Sequence, residues 1–127
     1  MNFSFDPNEG LVAVYVRLSG PRVRTVIRLA LDTGASETVV NWDIAVLLGY
    51  DPAASPTRRQ ITTGSGVEFA PEISIDRIEA LGIERFSFPV LCHTLPPSAG
   101  VNGLLGLDFL RGQRVALDFR TGTITVD

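Results

Sequence analysis

Lysine is missing from the 127 residues: all 11 basic side chains are arginine. With it go Schiff-base chemistry and the phosphate-cradling P-loop, both of which need an ε-amine. Cysteine and histidine are almost missing as well. Cys92 and His93 each stand alone, which excludes an intrachain disulfide, a multi-cysteine zinc or iron–sulfur site, and a metal site built on two histidines of one chain. Positive charge is not in excess either. Against 14 acidic residues the net charge is −3, so the chain has no basic footprint for nucleic acid. Apolar runs stay well short of the roughly 18 residues of a membrane span. Met1 to Pro7 carry neither a basic leader nor an apolar stretch, unlike a signal peptide. These absences lead to the expectation of a soluble protein in a reducing, cytoplasmic compartment, with no nucleic-acid and no membrane partner.

What is present is ordinary globular material, with 45% apolar and 20% charged residues, and the length suits one domain over residues 1–127. The strand signal exceeds the helix signal. Leu11–Leu18 and Val23–Leu31 are rich in β-branched residues and flank the turn Ser19-Gly20-Pro21, which predicts an antiparallel hairpin. A helix is expected after Asn41, with Asp43 in its first turn and Gly49 in the left-handed position beyond its end. Residues 51–59 read as loop. Gln60–Thr63 and Val67–Phe69 flank the tip Gly64-Ser65-Gly66 as an exposed hairpin. Glu72–Leu81 and Arg85–His93 read as two strands around Gly82, and Arg114–Phe119 with Thr123–Val126 as a closing hairpin. Leu104 to Leu110 reads as a buried apolar turn entering a short helix, and Trp42 and Phe109 as core. The sum is predominantly β with two short helices.

Asp32-Thr33-Gly34 is the sharpest chemical feature. Its carboxylate ends a strongly apolar strand (Val26, Ile27, Leu29, Ala30, Leu31), where a charge is costly unless donors compensate it. Thr33 can offer a hydroxyl, Gly34 a tight turn with its amide pointed inward, and Ser36 another donor. The bland alternative is an Asx-turn at a strand end. The Cys92-His93 pair does not suit a nucleophile and its base, because neighbours on a strand point to opposite faces. Cys92 is expected to be buried and His93 to face solvent. Ser65 lacks the strand-to-helix elbow of a hydrolase nucleophile.

The run Asp32-Thr33-Gly34-Ala35-Ser36 after an apolar strand, followed later by Leu104-Leu105-Gly106 and a short helix at Leu107–Arg111, resembles the retropepsin-like aspartic proteases. That resemblance implies an all-β fold, a closed, mostly antiparallel acid-protease barrel with one or two short helices. It also implies an aspartic endopeptidase that cleaves extended peptide or protein substrates without metal or organic cofactor. Because only one Asp-Thr-Gly loop is present, the implied enzyme is a homodimer in which Asp32 of each chain meets its twin across a two-fold axis. Two carboxylates so placed hold one proton between them, the ionised one activating a water and the protonated one polarising the scissile carbonyl.

The same resemblance gives Thr33 a bond to the partner's loop, Gly34 a carbonyl for substrate and Ala35 a place in a subsite. It makes Thr63, Gly64, Ser65, Gly66 and Val67 a substrate-covering flap, and packs Leu104, Leu105 and Gly106 behind the catalytic loop. Two departures stand out. Retroviral members pair a carboxylate two residues after the motif glycine with an arginine just after the second glycine, and here those positions are Ser36 and Leu107. The flap also lacks a tyrosine. For dimerisation, the terminal strand Thr123–Val126 or the arm Met1–Phe5 is expected either to join a partner's sheet or to complete its own. A non-catalytic peptide-binding or dimerisation module, or a structural subunit, remain alternatives from other classes.

Overall fold

A computed structural model describes residues 1–63 and 66–127. Alternation makes its strands. In β2 (Ala13–Ser19), Val14, Val16 and Leu18 point into the core while Tyr15 and Arg17 point out, the period of two that a half-buried strand requires. Across the predicted turn it pairs antiparallel with β3 (Arg24–Leu31), Val16 opposite Ile27. A short β1 (Asn2–Ser4) precedes them and β4 (Val39–Val40) follows.

Helix α1 (Trp42–Leu48) begins after Asn41 and stops at Gly49, which takes the left-handed φ of 106°. Asn41 occupies the N-cap position without capping through its side chain. Its Oδ1 instead accepts the Leu95 N–H at 3.0 Å. Trp42 is not core: 37% of its surface is exposed, as are parts of Val46 and Leu47 on the same helix.

The stretch expected to be loop holds a 3₁₀ turn at Pro52–Ala54, and β5 (Arg58–Thr63) starts earlier than predicted. Its partner β6 (Gly66–Ala80) is one strand of 15 residues, where two separate segments were expected. Pro71 does not break it. The Glu72 N–H points to the β5 side, bonding Thr57 O at 2.9 Å, so the missing Pro71 N–H falls on the other side. There β7 (Ile83–Cys92) begins pairing only at Glu72 opposite Leu91. Proline at such an edge costs no ladder bond.

The chain ends with β8 (Gly103–Leu105), α2 (Leu107–Leu110), β9 (Val115–Asp118) and β10 (Thr123–Val126). Strands β2, β3, β8, β4, β7 and β6 form a ring that closes when β2 pairs β6, Leu18 opposite Ile78. The result is a closed six-stranded barrel with two short helices, and β5 extends β6 as a hairpin beyond it. Val16, Leu18, Leu29, Ile75, Ile78, Leu105 and Phe109 fill the interior. Two pairings in the ring are parallel, β3 with β8 and β4 with β7. These bring the ends of β3 and β8 side by side.

A separate sheet joins the termini in the order β1-β10-β9. β10 is therefore flanked on both edges by its own chain, and the terminal strand completes its own sheet. Among the described residues no helix is long and apolar enough to cross a membrane.

Candidate active site

Asp32 follows directly on β3, and its N–H donates to Leu105 O at 3.0 Å, continuing the parallel pairing past the last strand residue. The carboxylate is half-buried, less enclosed within one chain than the apolar strand before it suggests. Its compensation comes from one donor, the Gly34 N–H to Oδ1 at 2.9 Å. Thr33 and Ser36, the other expected donors, are exposed and make no side-chain hydrogen bond within the described residues. Gly34 is not in the left-handed region. A Cβ there would lie 3.2 Å from Asp32 Oδ1, so the motif glycine serves close approach of its amide to the carboxylate.

Residues 32–38 hang on the segment behind them. Leu107 N–H donates to Ala35 O at 2.8 Å and Asp108 N–H to Ser36 O at 3.2 Å. Gly106 is enclosed by this backing: a Cβ would meet Glu37 C at 2.7 Å and Ala35 O at 2.8 Å, both backbone atoms. Only glycine lets the two segments approach so closely. Leu105 is fully buried in the barrel, and Leu104 faces the other way, toward a cleft described below.

Thr38 and Asp108 were not singled out from the sequence, yet they fasten the loop. Thr38 is completely buried. Its N–H donates to Asp108 Oδ2 at 3.1 Å, its hydroxyl to Asp108 Oδ1 at 2.7 Å, and its Oγ1 accepts the Gly106 N–H at 3.1 Å. This clasp lies close to the positions where Ser36 and Leu107 lack the retroviral ion pair, and it ties the same two segments with different residues. The sequence carried one signal: Asp108 is an acid in the first turn of a predicted helix, a favoured place. Nothing local named its partner. Beyond α2, Arg85 donates to Phe109 O at 2.7 and 3.0 Å and to Arg111 O at 2.9 Å. It thereby satisfies carbonyls at the helix end.

Beside the loop lies a cleft of about 910 Å³. Gly34, Ala35, Ser36 and Glu37 form its floor on one side, and Gln60, Ile61, Thr62 and Glu68 of the β5–β6 hairpin form another wall. Leu91, His93, Thr94, Leu95 and Pro96 close the third. Of the expected flap, Thr63 and Gly66 pair across the hairpin and Val67 is exposed on it, outside the cleft lining. Gly64 and Ser65 lie outside the described residues.

His93 does not simply face solvent. It lines the cleft with Nδ1 at 3.5 Å from Glu68 Oε2, an ion pair only when the imidazole is protonated. Cys92 points the opposite way into the core with 1% of its surface exposed. Burial pushes its thiol up to about 11, which keeps it from serving as a thiolate nucleophile. Among the described residues no three His, Cys, Asp or Glu side chains are grouped to hold a metal ion.

Comparison with known proteins bears on the family and the fold. The family model for aspartyl proteases matches residues 14–109. Among solved structures, a retropepsin-like aspartic protease from Rickettsia conorii superposes with a TM-score of 0.74 over 99% of this chain and 88% of that one, at 19% identity. At that identity the likeness speaks for the retropepsin-like fold. No curated protein matches the chain in sequence.

Proposed function

The chain belongs to the aspartyl protease family, and from that premise we propose that it is an endopeptidase assembled from two copies, with Asp32 of each as the catalytic pair. The observation that carries this reading is the half-built state of the Asp32 loop. Its carboxylate has a single local donor, and the residues just after it, Gly34 to Glu37, line a cleft of about 910 Å³. The adjoining Thr33 and Gly34 are exposed, and among the described residues no second carboxylate of the same chain is hydrogen-bonded to Asp32, Thr33 or Gly34.

A second copy related by a two-fold axis supplies the missing group. Two carboxylates brought together cannot both ionise comfortably, so they retain one shared proton. The ionised oxygen takes a proton from water as that water attacks the scissile carbonyl, and the protonated oxygen donates to the carbonyl as it becomes a diol. Collapse of the diol expels the amine, which leaves protonated, and the shared proton is restored. The backing by Leu105, Gly106 and the Thr38–Asp108 clasp keeps each carboxylate in register, the kind of fixed orientation on which such chemistry depends. Thr33 stands exposed where it can bond the partner's loop.

Against this stands the non-catalytic peptide-binding module. Digestion of a peptide library from acid to neutral pH by wild type and by Asp32→Asn decides between them. Cleavage by wild type that disappears in the variant supports the protease. Cleavage that persists in the variant, or peptide binding by wild type without any cleavage, overturns it.

A further inference from the structure

Resting on the protease reading, we propose that the cleft selects peptides carrying an arginine or lysine side chain near the scissile bond, and that Glu37 is the residue that selects it. Glu37 lines the cleft three positions past the motif glycine, and its carboxylate accepts no hydrogen bond among the described residues. Oε2 is shut off from solvent with no hydrogen-bond partner. Oε1 lies 3.9 Å from Arg59 Nη1, beyond hydrogen-bond reach. The same guanidinium bonds Glu72 Oε1 through its Nε at 2.6 Å, and it stands beside Glu37 as an ion pair without a hydrogen bond. A carboxylate that is partly desolvated and without a donor is an acceptor awaiting one. Some 37% of the Glu37 side chain remains open, and its terminal torsion is a soft two-fold one, so either oxygen can be turned to an incoming group.

The charge of the cleft wall says which donor fits. Besides Glu37, the ionisable residues lining it are Glu68 and His93. The lining thus carries two carboxylates, Glu37 facing the Arg59 guanidinium at 3.9 Å and Glu68 facing His93 at 3.5 Å. Among the described residues no arginine lines the cleft, Arg59 lying beside it against Glu37, and lysine does not occur in the chain. The remaining lining suits a long cationic side chain: Ala35, Ile61, Leu91 and Leu104 offer apolar surface along which a methylene stem lies while its head meets a carboxylate. An uncharged donor satisfies the hydrogen bond without the charge, so the proposal rests on charge and is tested by removing only that.

Two matched peptide libraries, one with an arginine fixed at a given position and the other with citrulline there, differ in charge while keeping shape. Both are scanned along the peptide against wild type for cleavage and against Asp32→Asn for binding. At one position the arginine peptides are expected to be favoured about tenfold or more in both measurements, as suits a hydrogen bond to a charged group. Glu37→Gln brings that ratio to within about twofold, and Glu68→Gln lowers it less. Equal treatment of arginine and citrulline by wild type, an unchanged ratio in Glu37→Gln, or a larger loss in Glu68→Gln overturns the assignment. The binding arm needs no turnover. A preserved arginine preference without cleavage supports this inference and sinks the protease reading alone, and cleavage without the preference does the reverse.

Discussion

Thr38 and Asp108 grip each other at two points, main chain to Oδ2 at 3.1 Å and hydroxyl to Oδ1 at 2.7 Å, although they stand 70 residues apart. The contact is buried at the Thr38 end, and Thr38 Oγ1 also takes the Gly106 N–H. Every polar group of the clasp is therefore spoken for, Asp108 Oδ1 accepting the Phe109 N–H at 2.8 Å as well.

Thr38→Val keeps the shape and removes the hydroxyl, leaving the Gly106 N–H without its partner while Asp108 Oδ1 keeps the Phe109 N–H. The expected loss is about 1–3 kcal/mol of stability, the cost of an unsatisfied buried group, read by urea denaturation. Because the clasp also sets the Asp32 loop, turnover per folded molecule should fall about tenfold or more. A stability change under about 0.5 kcal/mol shows that the clasp does not hold the loop.

Gly106→Ala places a methyl against the backbone of Ala35 and Glu37 at 2.7–2.8 Å. Backbone cannot step aside as a flexible side chain can, so the loop must shift. The expected outcome is a protein destabilised by about 2 kcal/mol or more, with activity lost beyond what unfolding explains. Gly10→Ala, with open space around its Cβ, serves as the neutral control. Equal behaviour of the two variants in thermal melting contradicts the close approach.

Tyr50 gives a prediction in alkali. Its hydroxyl donates to Asp76 Oδ1 and accepts the Asp76 N–H, both at 2.8 Å, where the β6–β7 ladder skips from Ile75 to Arg77. Burial above all, with the Asp76 carboxylate adding to it, pushes the phenol up from 10.0 to about 12. Above pH 10 the unfolded chain loses this proton first. The stability it contributes is thus complete below pH 10 and drains away as pH rises through about 12. Tyr50→Phe should lose about 0.5–1 kcal/mol at neutral pH and show a flatter stability curve through the alkaline window. Denaturation at several alkaline pH values checks both, and parallel curves for the two proteins contradict the assignment.

Local features were legible where one segment holds the whole signal. The β2–β3 hairpin follows from Val14, Val16 and Leu18 alternating before a Ser-Gly-Pro turn, and α1 from its boundaries at Asn41 and Gly49. Asp32-Thr33-Gly34 with Leu104-Leu105-Gly106 indicated which two segments meet, and they do so through the Asp32 and Leu107 amides. What stayed hidden depends on distant pairing. No periodicity tells that Leu18 closes the barrel on Ile78, nor that an exposed-looking His93 turns toward Glu68 across the cleft. Val67–Phe69 and Glu72–Leu81 read as separate segments, because the edge that accommodates Pro71 within one strand exists only once β5 and β7 are in place. Trp42 reads as core by its chemistry alone, while its place at the first turn of α1 leaves it outside.

The central claim is that one active site needs two chains. Asp32→Asn protein, folded but without the catalytic carboxylate, is mixed and re-equilibrated in rising amounts with a constant quantity of wild type, and peptide cleavage is followed. If each site is shared, random pairing leaves about half of the wild-type chains with a wild-type partner at equal amounts and about one-tenth at ninefold excess, and the rate falls in that proportion. A rate that stays constant as the variant accumulates contradicts the account.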